Sequence, residues 1–449
     1  MKYLDEWIAE RNVDEVECLV PDLNGIPRGK ILPAGKFLKG VKDHSLRLPM
    51  SIFLQTVTGE YPDVDDDDIG SDEDPDIYLK PDPDTIRLVP WYKNPTAQVI
   101  QDAYYEDGRP VEIASREVLK KVLRLYEEKG WKPVIAPELE FFLVQVNTDP
   151  DLPLLPPIGR SGRPESGSQA YGIDAVNEFD HIFEDVYKFC ELSGIDVDTL
   201  THESGAAQME INFNHGDPLE LADQAFLFKR TVRQAAMKHN VYATFMAKPL
   251  SNQPGSSMHI HQSVVERRTG KNLFADTKGR DTAMFRHHVA GLQRYLPHVV
   301  PMLAPNVNSY RRLRPRFDAP INVQWGIDNR SCGLRVPISN SSSRRIENRL
   351  AGADANPYLA IAASLVCGYL GMTERLKPSN QIQGSAYRMA HTLPKTANEA
   401  LHKFSSCKPV RALLGERFVK ALSIVKLTEL EAYANVISSW EREHLLLNV

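Results

Sequence analysis

The chain has 449 residues, more than a single hydrophobic core of roughly 250–300 residues organises, so two or more domains and an enzyme-sized core are permitted. Hydrophobic residues at 42% and charged residues at 25% are ordinary soluble-protein usage and exclude a disordered or fibrous chain. With 59 acidic against 53 basic residues the formal net charge is -6, which leaves no basic surplus for gripping a phosphate backbone and argues against nucleic acid as a partner.

The opening segment Met1-Lys2-Tyr3-Leu4-Asp5-Glu6-Trp7 lacks a basic region followed by an apolar one, and no run of about 18 apolar residues occurs, so neither secretion nor a membrane span is expected. Residues 1–110 hold short apolar runs, many prolines and an acidic stretch from Asp63 to Asp76, and they close on the turn-like Asp107-Gly108-Arg109-Pro110. A domain boundary is placed there, giving domains 1–110 and 111–449. Ser115 is expected to cap an amphipathic helix carrying Val118, Leu119, Val122, Leu123 and Tyr126 that stops at Gly130.

Beyond Gly130, strands and helices alternate. Helices are predicted near Phe179–Leu192, Pro218–His239, Ala283–Leu296 and Pro357–Tyr369, with first-turn prolines at 218 and 357 and C-caps at Gly194 and Asn240. Strands are predicted around Val134–Val144, Gln208–Asn214, Met258–Val264, Ile321–Trp325 and Arg345–Arg349, and the chain is helical again from about Asn398. Five scattered cysteines, Cys18, Cys190, Cys332, Cys367 and Cys407, include no C-x-x-C pair; a reducing cytoplasm fits them better than a disulfide framework or a structural zinc site.

The polar faces of several strands carry pointed chemistry. Period-two alternation puts Gln208, Glu210, Asn212 and Asn214 on one face, which taken alone reads first as an antiparallel strand with one wet face. The same rule groups Glu138 with Glu140, His259 with His261 and Ser263, and Arg345 with Glu347 and Arg349. Carboxylates at i and i+2 repel each other and call for a cation. If Glu138, Glu140, Glu203, Glu210 and Glu347 converge with His259, the donor set is oxygen-rich and hard, suited to a pair of Mg2+ or Mn2+ ions and ill-suited to zinc or copper. Two such ions suit phosphoryl transfer, and Arg311, Arg312, Arg330, Arg335, Arg344, Arg345 and Arg349 supply guanidinium groups for phosphate and carboxylate. Neither a Walker-type P-loop nor a Gly-x-Gly-x-x-Gly turn is present, so nucleotide phosphates would be held by metals and arginines.

Five blocks now stand in order: Ala136-Pro137-Glu138-Leu139-Glu140-Phe141-Phe142, His202-Glu203-Ser204-Gly205-Ala206-Ala207-Gln208-Met209-Glu210, Gly255-Ser256-Ser257-Met258-His259-Ile260-His261, Asn308-Ser309-Tyr310-Arg311-Arg312-Leu313 and Arg345-Ile346-Glu347-Asn348-Arg349, with Asn356-Pro357-Tyr358-Leu359 downstream. Together they resemble the glutamine synthetase superfamily. The resemblance implies an α+β fold: an N-terminal β-grasp domain, then a catalytic domain with a curved antiparallel sheet flanked by helices. It implies that Glu140, Glu203 and Glu210 hold one metal and Glu138, His259 and Glu347 the other. Glutamate would lie on Arg312, Arg349 and Gly255; ATP would meet Asp198, His261, Ser263, Arg330 and Arg335; and the chain would assemble into stacked rings, a dodecamer, with active sites between subunits.

Departures from the family bear on the second substrate. The ammonium-binding Asp-Gly-Ser motif of glutamine synthetases is absent, and the flap reads Arg316-Phe317-Asp318-Ala319-Pro320, an aspartate where ammonia users have glutamate. The adenylylation-loop tyrosine segment has no clear counterpart. Leu48-Pro49-Met50-Ser51 and the acidic loop look like the branch that joins glutamate to putrescine-type amines. The expectation is ATP-dependent ligation of the γ-carboxyl of L-glutamate to a polyamine, with Asp318 as base, Arg330 as the residue stabilising phosphate, and the acidic loop drawing in cationic amines. Ammonium, or a monoamine such as ethanolamine, is the alternative acceptor.

Overall fold

The computed structural model describes residues 2–63, 69, 73–315 and 319–449. Two sheets organise it. The first is built from β1 (Glu15–Pro21), β2 (Pro27–Pro33), β3 (Arg47–Pro49), β4 (Asp76–Pro81), β5 (Arg87–Leu88) and β6 (Thr96–Tyr104). Its order is β2-β1-β6-β4-β3, with β5 also on β6; β1 runs parallel to β6 and the other pairs are antiparallel.

The second sheet positions the polar strands. It contains β7 (Trp131–Gln145), β8 (Val197–His202), β9 (Gln208–Phe213), β10 (Val241–Thr244), β11 (Met258–Glu266), β12 (Trp325–Ile327), β13 (Leu334–Val336) and β14 (Ile346–Asn348). The order is β12-β13-β14-β11-β7-β9-β8, with β10 also on β7, and every pair except β12–β13 is antiparallel. Leu139, Phe141, Met209, Ile211, Met258 and Ile260 turn into the core, and helices Ser115–Glu128 and Pro218–Lys238 pack on β7. The apolar helix Pro357–Thr373 lies against both of them and against Ala283–Tyr295. The last two pack tightly, since a Cβ on Gly291 would stand 2.2 Å from the Cys367 carbonyl oxygen and 2.6 Å from the Gly371 Cα.

Three elements differ from the sequence expectations. Ser115 is the first helical residue and Ala114 the cap; the Ser115 hydroxyl instead donates to the Asp22 carbonyl at 2.8 Å. The strand expected over 321–325 begins only at Trp325, because the Ile321 carbonyl accepts from the Thr392 and Leu393 amides, the Val323 carbonyl accepts from Gln293 Nε2, and the Gln324 amide donates to the Asn322 side chain. The helix from Pro357 runs to Thr373, as Tyr358 through Met372 are all buried and no amphipathic boundary marks its end. The caps at Pro218 and Pro357 come from Asp217 and Asn356, whose side chains accept from the first-turn amides.

A buried ionic knot ties the first sheet to the helices of the second. Arg116, with 3% of its side chain exposed, reaches Asp82 at 2.6 Å, Asp102 at 2.7 Å and Asp223 at 2.9 Å, and the Tyr358 hydroxyl donates to Asp223 at 2.7 Å. Lys120 also reaches Asp102 at 2.5 Å, so removing Arg116 costs Asp82 and the buried Asp223 their guanidinium partner. Arg116→Ala is therefore expected to lower unfolding free energy by about 3–5 kcal/mol, read as a shift in the urea midpoint. No helix among the described residues is long and apolar enough to cross a membrane, and all five cysteines are free and buried.

Candidate active site

Antiparallel register brings the polar faces together. Glu138 pairs with His259 on one side and with Asn212 on the other, Glu140 pairs with Glu210, and Glu347 faces both His261 and Arg335. The result is a cleft of about 620 Å³ lined by Glu138, Glu140, Glu203, Glu210, His259 and Glu347, with Gly255, Arg312, Arg330, Arg335 and Arg349 on its walls. All six expected metal ligands and the three expected glutamate-binding residues therefore share one cavity.

Donor atoms fall into two overlapping groups. In Glu138, His259 and Glu347, and again in Glu140, Glu210 and His259, one ligand atom from each residue lies within 4.8 Å of the others. His259 Nδ1 stands 3.2 Å from Glu138 and 3.7 Å from Glu347, and its Nε2 stands 3.9 Å from Glu140. Glu203 lines the same cleft but belongs to neither tight group.

Electrostatics divide these carboxylates. Burial, then the neighbouring Glu203 charge, pushes Glu140 up to about 8. Burial pushes Glu203 up as well, and burial together with Glu138 and Glu140 pushes Glu210 well above the usual carboxylate range. Burial opposes the charge of Glu138 and Glu347 too, yet there it is outweighed. Hydrogen bonds to His259 and His261 hold Glu138 far down, and Arg349, with His259 and His261, holds Glu347 down to about 2. Three carboxyls that resist ionisation beside two that are firmly ionised fit hard divalent cations, because an ion would offset the repulsion that the protein leaves uncompensated.

The arginines are held by the same residues. Glu347 accepts from Arg335 at 2.7 Å and from Arg349, while Asp328 takes the other edge of Arg335 at 2.7 Å. Arg312 is buried, donating to Ser257 Oγ at 3.2 Å and to the Leu350 carbonyl. Gly255 packs on it: a Cβ there would come within 2.5 Å of the Arg312 Cγ, so only glycine leaves that arginine in place. Arg330 is exposed at the wall.

The remaining expectations scatter. His261 reaches Glu138 at 2.8 Å and accepts from Arg345 Nε at 3.1 Å, but neither it nor Ser263 nor the exposed Asp198 lines the cleft. Asp318 lies outside the described residues, as do Val64–Asp68 and Gly70–Asp72 of the acidic stretch; within that stretch Asp74 is committed to Ser51, accepting from its amide at 2.9 Å and its hydroxyl at 2.6 Å. Tyr171, Thr201, Ser204 and Ser257 line the cleft without having been singled out. Ser257 N donates to Glu140 at 2.8 Å, a role its place beside the glycine block could have suggested. Tyr171, 66% exposed with φ 61°, sits in a loop of small polar residues that has no periodicity to read.

Comparison with known proteins agrees with this geometry. The chain is 34% identical to gamma-glutamylputrescine synthetase PuuA of Escherichia coli strain K12 over all of its own length and 94% of that protein. It is 32% identical to glutamate–isopropylamine ligase of a Pseudomonas species, over 97% of this chain and 95% of that one. The solved structure of ligand-free GmaS superposes with a TM-score of 0.83 at 26% identity and covers 100% of both chains. Residues 112–445 match the family described as glutamine synthetase, catalytic domain, and the chain belongs to that family.

Proposed function

We propose that this protein ligates the γ-carboxyl of L-glutamate to an organic amine, a polyamine or diamine, at the expense of ATP. The observation that carries the reading is one cleft in which five glutamates, Glu140 and Glu347 buried and Glu138, Glu203 and Glu210 half-buried, join His259 opposite four arginines. The amine assignment draws on the similarity to PuuA and to the isopropylamine ligase and on the absent Asp-Gly-Ser motif. We assign two Mg2+ or Mn2+ ions to the carboxylates, a cytoplasmic setting, the division into domains 1–110 and 111–449, and a stacked-ring homo-oligomer to the same reading.

When bound, the ions supply charge neutralisation on the phosphates of ATP. Glutamate lies with its carboxylates toward Arg312 and Arg349, beside Gly255. Its γ-carboxylate oxygen attacks the terminal phosphorus, and the bond to ADP breaks, giving γ-glutamyl phosphate. An alkylamine with a pKa near ~10 arrives protonated, so a carboxylate must take one proton before attack. Asp318 is assigned that step; its neighbour Ala319 lines the cleft. The neutral nitrogen then forms the amide bond as the carbon–oxygen bond to phosphate breaks, its second proton leaves with the phosphate, and Arg330 and Arg335 offset the charge that gathers on that leaving group.

Glutamate- and ATP-dependent phosphate release, compared across ammonium, ethanolamine, isopropylamine, putrescine, cadaverine and spermidine, tests the reading. A diamine or polyamine should give the highest kcat/KM. Ammonium giving the highest value would overturn the amine assignment and leave glutamine synthesis as the activity.

A further inference from the structure

We infer that Glu165 is a positioning residue that fixes the Glu203 turn to the Tyr171 loop; the inference rests on the ligase reading for the role of Glu203. Glu165 lies in the connection between β7 and the helix Ile173–Asn177, far in sequence from the metal-facing strands, yet its side chain is only 13% exposed. Its Oε2 accepts from Ala207 N at 2.7 Å and stands 3.1 Å from His202 Nε2. The other edge of that fully buried ring is spent on the turn itself, with His202 Nδ1 2.7 Å from the Glu203 carbonyl oxygen. One carboxylate oxygen thus touches both ends of the turn that presents Glu203.

The turn needs such a support. Glu203 N bonds the Gln208 carbonyl at 2.8 Å and Gln208 N bonds the Gly205 carbonyl at 3.0 Å, which forces Ala207 to φ 54°. That conformation is disfavoured for a non-glycine residue, and it persists where surrounding contacts hold it. Glu165 takes the amide of that strained residue. From the same loop Tyr171 N donates to the His202 carbonyl at 2.9 Å, so the segment bearing Tyr171 is stitched to the end of β8 at two places. Glu165 Oε1 is buried without a partner, so the carboxylate is held by these donors and not by solvent. A group that orients a metal ligand through its neighbours is worth about 10–100-fold in metal affinity.

The test uses the full-length protein and Mn2+ alone, counting free Mn2+ by electron paramagnetic resonance. Glu165→Ala is expected to weaken Mn2+ binding about 10–100-fold. Glu165→Gln, whose amide oxygen can accept both donors, is expected to restore it. Glu178→Ala serves as the control for general disorder of the same connection, since Glu178 accepts from Ser161 N at 2.9 Å; it should bind Mn2+ like the wild type. Wild-type affinity in Glu165→Ala, with the parent protein binding normally, overturns the inference and leaves the ligase reading standing, and so does an equal loss in Glu178→Ala. A parent protein that binds no Mn2+ removes the ligase reading and this inference with it.

Discussion

In EDTA at pH 8 the Glu210→Gln protein is expected to melt above the wild type, and in saturating Mn2+ the order is expected to reverse. Glu210 has a folded pKa raised well above the usual range, by burial first and then by Glu138, Glu140, Glu203 and Glu347. A carboxyl raised in this way contributes stability that is complete below its unfolded pKa near ~4.5 and is lost as pH rises through the folded value. Glu140, pushed up to about 8, adds a loss of the same sign over the same range. Glutamine has no proton to lose, so the variant escapes its share of the penalty, and at pH 5 the two proteins converge. Mn2+ at about 100 times its dissociation constant stabilises the wild type by about 2.7 kcal/mol, whereas a site about 100-fold weaker gains only about 0.4 kcal/mol at that concentration. Melting curves at pH 5 and pH 8, with EDTA and with Mn2+, check both halves. A variant less stable than the wild type in EDTA at pH 8 would mean that Glu210 is not in conflict with its neighbours.

Arg330→Ala is expected to lower kcat by about 10²–10³-fold while the KM for glutamate stays close to the wild-type value. Arg330 stands exposed on the cleft wall, and its charge is felt at Glu203, so it can meet charge that develops on a phosphate without first being withdrawn from a buried partner. Arg312 offers the contrast. It is buried against Ser257 and the Leu350 carbonyl, and burial lowers its pKa to about 10, which suits a fixed post for a bound carboxylate. Steady-state kinetics with glutamate varied separate the two roles. A raised KM with unchanged kcat in Arg330→Ala would place that arginine in ground-state binding instead.

Much of the cleft was legible because a strand has period two. Glu138 and Glu140, or His259 and His261, must share a face whatever the register, and one face of β7 and β11 had to be polar because Leu139 and Ile260 are committed to the core. What periodicity leaves open is which strand lies beside which. The pairing of Glu140 with Glu210 joins residues 70 positions apart, and ordered sequence blocks resembling a family stood in for that missing information. Some short elements were illegible: β10 and β13 have only four and three residues, too few for alternation to declare itself. Ser115 misled for a related reason, since its hydroxyl is drawn to a carbonyl 93 residues away. Glu165 and Tyr171 were invisible because their loop is ordered by His202 and Ala207 and not by its own sequence.

The most direct test follows the oxygen. Glutamate labelled with 18O in its γ-carboxyl group is supplied with ATP, a divalent cation and the preferred amine, and the released phosphate is analysed by mass spectrometry. If the cleft activates the carboxyl by phosphorylating it, one labelled oxygen appears in inorganic phosphate for each amide formed. Amide formed with unlabelled phosphate, or ATP consumed with no amide at all, would contradict the account.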